Sequence, residues 1–198
     1  MSSLINTFKA KFNQHIIIPV IESHSPVKEA ALGSAIGMFL GMTPTVGIQM
    51  WMVFMSWITA KYVFRSKFDL MIATAMVWLS NPLTMGPLYY LFLVTGAWFF
   101  NLVGISDVVM SYQSFAHKLN LITSNADFST VEKFLAGVHF MIFDLGYPMV
   151  IGSLFWAIPL ALLSYAVTLK YLKQYRIKKA TNLGLTYTEW QQKYERST

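Results

Sequence analysis

Thr43, Thr45 and Gln49 lie near the middle of a stretch from Ala30 to Ala60 that carries no charge, and Ser80, Asn81 and Thr84 hold a similar place between Leu70 and Ser106. Each group surrounds a proline, Pro44 or Pro82, with Gly47, Gly86 and Pro87 close by. Proline removes one backbone donor and displaces a carbonyl, so each break sets loosened peptide groups beside uncharged hydrogen-bonding side chains. Such groups can bond a phosphate or a sugar hydroxyl, and the N–H groups at the start of a half-helix favour an anion. The same atoms equally serve to satisfy broken backbone between packed helices. The candidate ligand-binding residues are therefore Thr43, Pro44, Gly47, Gln49, Ser80, Asn81, Pro82, Thr84, Gly86 and Pro87.

Other chemistry is poorly represented. The chain has no cysteine, which excludes disulfides, thiolate nucleophiles and cysteine-ligated zinc. His15, His24, His117 and His139 are scattered and form no metal-binding motif. The glycines Gly33, Gly37 and Gly41 have the wrong spacing for a phosphate-cradling loop, and no strand precedes them. The carboxylates lie outside the uncharged runs, with Glu29 and Asp69 flanking them, so no buried acid–base pair is evident. No cofactor, metal or enzymatic activity is expected.

These residues must be positioned by membrane helices. Of 198 residues 55% are apolar and only 12% charged, against about 25% charged in soluble proteins. A bilayer core takes about 20 apolar residues as a helix, and both uncharged runs exceed that length. A third run, Leu145 to Leu169, fits one crossing helix from Pro148 to Leu169, with Pro159 tolerable in such a setting. Non-helical chain at bilayer depth must be covered by protein or line a wet cavity, and paired breaks of this kind mark binding sites in transporters. Residues 1–25 lack a secretory h-region.

Charge sets the expected orientation. Lys61, Arg65 and Lys67 separate the first two runs, and Lys170, Lys173, Arg176, Lys178 and Lys179 follow the third, whereas Asp107, Asp127, Glu132 and Asp144 dominate the segment between. The positive-inside bias places both termini in the cytoplasm of a multi-pass inner-membrane protein and that acidic segment outside. The five basic residues after Leu169 adjoin a membrane helix and lack interleaved stacking aromatics, so anionic lipid headgroups, not nucleic acid, are their expected partner.

The fold class read from this pattern is an all-α integral membrane protein, a helical bundle with proline-broken half-helices or re-entrant hairpins and amphipathic helices outside the membrane. Leu4, Ile5, Phe8, Phe12 and Ile16 give residues 1–24 an amphipathic character, suited to the interface or to packing on other protein. The membrane domain spans 25–176 and includes an extracytoplasmic helical segment, 104–146, where Ser129-Thr130-Val131-Glu132 has the form of a capping box. A basic cytoplasmic tail occupies 177–198. Ser25-Pro26 reads as the start of a helix to Met42, whose Gly33, Gly37 and Gly41 form a bare face for close packing. Its expected partner is the next helix, Ile48 to Phe64, in a hairpin that either crosses the bilayer or dips into it. The second run is about 37 residues, some 55 Å if helical, and reads as a half-helix Phe68 to Leu79, an unwound turn, and a helix from Leu83 to Leu102. Met42 to Val46 beside Ser80 to Thr84 suggests a repeated half-helix unit.

Ser25-Pro26 through Gly47, the block Trp78-Leu79-Ser80-Asn81-Pro82-Leu83-Thr84-Met85-Gly86-Pro87-Leu88-Tyr89-Tyr90, and the closing Gly152-Ser153 and Pro159-Leu160-Ala161-Leu162 resemble the bacterial domain of unknown function family 2062. The resemblance covers roughly Ser25 to Arg176. It implies a small inner-membrane domain, in some proteins joined to glycosyltransferases that use lipid-linked sugars, and carries no activity with it. The family usually has a more apolar segment where this chain has Thr43-Pro44-Thr45-Val46-Gly47, which leaves a polar role for Thr43 here. Two functions fit. One is binding or translocation of an amphipathic envelope lipid of the polyprenyl-phosphate type. The other is a non-catalytic scaffold whose glycine face meets an envelope glycosyltransferase or a second copy of the chain.

Overall fold

The computed structural model describes residues 18–45, 48–79, 82–105, 117 and 146–195. Among them it is all-α, with seven helices and no strand: α1 (Ile18–Glu22), α2 (Val27–Gly41), α3 (Gln49–Tyr62), α4 (Leu70–Val77), α5 (Pro82–Leu102), α6 (Tyr147–Asn182) and α7 (Tyr187–Tyr194). The amphipathic patterns expected before Ile16 and between Val108 and Ile142 lie outside the described residues. The chain divides into two compact units, Met1–Asn81 with Ala157–Thr198, and Pro82–Trp156.

In the first unit α2 and α4 pack through backbone. A β-carbon at Gly33 would overlap the carbonyl oxygen of Asp69, one at Gly37 would overlap that of Ala73, and one at Gly41 would lie 3.2 Å from the Cα of Val77. The three glycines cost helix propensity, about 1 kcal/mol each relative to alanine, and what offsets it is this close approach. The partner of the bare face is therefore α4, not the following helix α3. Asp69, Ala73 and Val77, one turn apart on the short helix α4, meet the three glycines, so its backbone lies in the groove that α2 leaves. Two apolar clusters flank the contact, one around Val27, Ala30, Ile72, Met76 and Leu172, the other around Leu40, Val53, Phe68, Ala73 and Val77. Full burial of a residue such as Ile72 contributes about 1.5–3 kcal/mol.

Asp69 starts α4. Its Oδ1 accepts the Ile72 N–H at 3.1 Å, and its Oδ2 accepts the Ser23 hydroxyl at 2.6 Å. The cap thereby also ties α4 to the turn between α1 and α2. Ser25 does not cap α2 in the same way; Pro26 is the residue at the cap, and no side chain bonds there.

The crossing helix expected to stop at Leu169 runs on as α6 to Asn182, 36 residues in all. Nothing in its basic second half breaks it, since lysine and arginine are good helix formers, and it ends only at Gly184, which turns the chain at φ 69°. From Ser164 onward it buries every fourth residue: Ser164, Thr168, Leu172, Arg176 and Ala180. The upper part of this stripe is hydroxylic. Thr168 Oγ1 donates to Ser34 Oγ at 2.9 Å, Ser34 and Ser164 hydroxyls meet at 2.6 Å, and Ser164 Oγ reaches the Ser34 carbonyl at 3.4 Å. Every proton has an acceptor if the relay runs from Thr168 to Ser34 to Ser164 and back to the Ser34 carbonyl, so α2 and α6 are joined without an unsatisfied buried group.

In the second unit α5 packs on the start of α6 by the same device. Gly96 lies against the Pro148 carbonyl and Gly152 against the Phe92 carbonyl. Pro87 is accommodated inside α5 and Pro159 inside α6.

Candidate functional site

The first break closes on itself. Thr43 Oγ1 donates to the Leu40 carbonyl at 2.7 Å and meets the Thr45 hydroxyl at 2.8 Å, while Gln49 Nε2 donates to the Thr43 carbonyl at 3.1 Å. Gln49 is 6% exposed. These side chains thus serve the backbone around Pro44: the Thr43 hydroxyl adds to the Thr43 N–H on the Leu40 carbonyl near the end of α2, and Gln49, the first residue of α3, takes up the Thr43 carbonyl. Gly47 lies outside the described residues, as do Ser80 and Asn81 at the second break. Pro82 opens α5, Thr84 is half-buried within it, and Gly86 and Pro87 are exposed. Thr43, Pro44 and Gln49 are brought together; Thr84, Gly86 and Pro87 belong to the other unit.

Two cavities in the first unit were not anticipated. One is an apolar groove of about 510 Å³ between α1, α2, α4 and α6, lined by Val20, Ile21, Met38, Met76, Leu160, Leu163, Val167, Leu172, Tyr171 and Tyr175, with Ser164 and Thr168 the hydroxyl-bearing aliphatic residues on its wall. Its volume falls within the range of small-molecule sites, about 300–1,000 Å³. The other, about 700 Å³, is lined by charge: Glu22, Glu29, Asp69, Lys61, Lys67 and His24, with Trp57 and the Ser23–Ser25 turn. Helix α1 walls both, presenting Val20 and Ile21 to the groove and Ile18, Pro19 and Glu22 to the charged cavity.

The turn beside the charged cavity is fixed by Arg176. This guanidinium is 1% exposed. Its Nη2 donates to the Ser23 and Ser25 carbonyls at 2.7 and 2.9 Å, its Nη1 pairs with Glu195 Oε1 at 2.6 Å, and its Cζ lies 5.4 Å from the centre of the Trp190 ring. Arg176 was grouped by sequence with headgroup-binding lysines, and the structure corrects that assignment: its position on the buried stripe of α6 turns it inward, where it finds two carbonyls and a carboxylate. Lys170, Lys173, Lys178 and Lys179 occupy the remaining faces of α6 and are exposed.

Electrostatics separate the acidic groups. Burial pushes the Glu29 carboxyl above the usual carboxylate range; Lys67 opposes the shift, while Asp69 and Glu195 add to it. Hydrogen bonds from Thr186 hold the Glu189 carboxyl below that range. Thr186 and Glu189 form the capping box of α7, with Thr186 N–H donating to Glu189 Oε2 at 2.7 Å. The Thr186-Tyr187-Thr188-Glu189 pattern carried that signal in the sequence. The stripe Ser164, Thr168, Leu172, Arg176 and Ala180 was likewise readable as a four-residue period.

Among the described residues no cluster of three or more histidine or carboxylate side chains could hold a metal ion. One described helix, α6, is long and apolar enough to cross a membrane, and only 22% of its most apolar 18-residue stretch is buried. No curated protein matches the chain, and no solved structure does. The closing apolar helix, the glycine-packed core and the proline-containing α5 all fall within residues 10–181, which match the model of a family described as "Uncharacterized protein conserved in bacteria (DUF2062)"; the chain belongs to that family.

Proposed function

We propose that this protein is a small multi-pass membrane protein that binds an amphipathic envelope lipid, with the lipid tail in the apolar groove. One observation carries the reading. The groove lies on the length of α6 that is apolar yet uncovered, and its rim residues Leu163, Val167 and Tyr171 are exposed. A soluble protein rarely leaves so large an apolar surface open to water; at the acyl-chain level of a bilayer the same surface is matched by its solvent. A tail lying in the groove passes from that solvent onto side chains of equal polarity, and Ser164 and Thr168 on the wall have their protons committed to the relay with Ser34. The tail therefore meets little free polar surface.

Helix α6 crosses the bilayer in this reading; the second crossing it needs falls to the uncharged run that holds the 21-residue α5, which leaves both termini on the cytoplasmic side in keeping with the lysines beyond Leu169. Helices α2 and α3 are 15 and 14 residues long, about 21–23 Å, which suits a hairpin that dips into the bilayer. The scaffold reading is weaker, because Gly33, Gly37 and Gly41 are taken up by α4 and leave no bare face for a partner.

Native mass spectrometry of the full chain, extracted in mild detergent, tests the reading. Wild type should retain lipid, and Val167→Trp or Leu163→Trp, which fill the groove from exposed positions, should lower retention about tenfold, a loss near 1.4 kcal/mol. Absence of lipid from wild type, or retention indifferent to both tryptophans, sinks the proposal.

A further inference from the structure

We propose that the charged cavity recognises a zwitterionic headgroup, a phosphate ester carrying a primary amine, with Lys61 and Lys67 facing the phosphate and Glu22 and Glu29 facing the ammonium. The assignment rests on the reading of the protein as a lipid binder and names the class of lipid. It follows from charges that share a cavity without pairing. Among the described residues the ion pair within 4.0 Å is Arg176–Glu195, and none joins Lys61 or Lys67 to Glu22, Glu29 or Asp69. Asp69 is already committed, with one oxygen capping α4 and the other holding Ser23. Among the described residues Glu22 and Glu29 carry no such hydrogen bond; Glu22 is exposed and Glu29 half-buried.

A partly enclosed carboxylate with no ion pair within 4.0 Å among the described residues is a poor arrangement for the protein alone. The raised proton affinity of Glu29 accords with that, with burial the largest cause, Lys67 opposing it, and Asp69 and Glu195 adding to it. A ligand bearing only phosphate would bring a negative charge toward Glu22 and Glu29. One bearing only an amine would face Lys61 and Lys67. A headgroup carrying both signs satisfies each side with a charge-assisted bond of the stronger kind.

The surroundings are rigid enough for recognition. The Ser23–Ser25 turn is held from one side by Asp69 and from the other by Arg176, and Trp57 lies under Lys61, whose Nζ is 4.9 Å from the ring centre. Preorganisation of this kind reduces the ordering cost of binding. The single-turn helix α1 lines both the cavity and the groove, so a lipid whose tail lies in the groove along Val20 and Ile21 has the charged cavity on the other side of that helix for its headgroup.

The test titrates the full chain in detergent with phosphatidylethanolamine, phosphatidylglycerol and phosphatidic acid of identical acyl chains, read by native mass spectrometry, and with free phosphoethanolamine, read by calorimetry. Phosphatidylethanolamine should bind about tenfold more tightly than phosphatidylglycerol. Glu29→Gln should erase that preference without weakening phosphatidylglycerol, Lys67→Gln should weaken both, and Val167→Trp should weaken all three lipids alike. Lipid binding with no headgroup preference, or a preference that Glu29→Gln leaves intact, overturns the headgroup assignment and leaves the lipid reading standing. Glu29-dependent binding of free phosphoethanolamine without lipid retention supports the cavity chemistry and assigns it to a soluble source. Failure to bind either lipid or phosphoethanolamine overturns both.

Discussion

A β-carbon at position 37 has nowhere to go, because the carbonyl of Ala73 already occupies the space. Gly37→Ala should therefore destabilise the protein despite alanine's better helix propensity, by about 1–3 kcal/mol, the usual cost of overpacking. Gly41→Ala is the milder counterpart: the added carbon would lie 3.2 Å from the Cα of Val77, and the substitution should cost less than Gly37→Ala. Denaturant unfolding in a fixed detergent checks both, and a larger loss at position 41 than at 37 would contradict the packing described. Glu29 makes a third residue-level prediction, through pH. Its carboxyl is raised by burial and by Asp69 and Glu195 against the opposing Lys67, so the folded state prefers the neutral form. Wild type then has its full stability from this group below the ordinary glutamate pKa, about 4.3, and loses it as pH rises through the raised value. Glu29→Gln should unfold at a higher temperature than wild type near neutrality, with the difference vanishing in acid; a constant difference across pH would exclude titration of this carboxyl as the cause.

Helix α7 is held by what α6 buries. Arg176 gathers Ser23, Ser25 and Glu195 around one guanidinium, and Trp190 packs over it with 4% of its surface exposed. Arg176→Met leaves two carbonyls without a donor and Glu195 without its cation, with only the Gln191 amide at 3.1 Å to hold that carboxylate, and should cost about 3–5 kcal/mol, the usual penalty for breaking a buried pair by removing one partner. Glu195→Gln retains an acceptor and should cost less. Hydrogen exchange resolved to residues 187–194 and 23–25 should show both segments loosening in Arg176→Met; loosening of α7 alone would mean that the turn is fixed chiefly by Asp69. This element also shows what the sequence could convey. Helix existence was legible for α2 through α6, and approximate bounds for α2 through α5, because uncharged runs, prolines and glycines punctuate them; the end of α6 was not, because its basic second half carries no break before Gly184. The pairing of α2 with α4 was not, since the glycines specify a close neighbour without saying which; in the structure the backbone of Asp69, Ala73 and Val77 fills that place. Arg176 read as one basic residue among five because charge counts carry no direction, whereas its place four residues beyond Leu172 turns it inward. Thr43 and Gln49 were identifiable as polar residues at a break, and their bonds run to Leu40 and Thr43 of the same turn. The groove and the charged cavity arise from residues far apart in the chain, and no local pattern announces them.

At the scale of the whole molecule the apolar surface outweighs what a folded chain in water would leave open. Leu162 is 67% exposed within the most apolar part of α6, and Ile158, Leu163 and Val167 on the same helix are also uncovered. The polar requirement of that helix is met inwardly, by the stripe that begins with Ser164 and Thr168, and the proposed lipid contact accounts for its apolar outer faces. Leu162→Arg tests the point because the site contributes little to packing. In detergent, where the side chain reaches water, the substitution should shift folding stability by no more than about 0.5 kcal/mol, as exposed sites do. Near the middle of a bilayer-spanning helix an arginine costs about 2.5–3.5 kcal/mol, so membrane insertion of α6, measured by a translocation assay on the full chain, should fall by about two orders of magnitude. Leu162→Phe should leave insertion unchanged. Loss of stability in detergent with normal insertion would reverse the assignment and place Leu162 against protein, and α6 would then be a helix that awaits a partner chain on a face here read as turned to lipid.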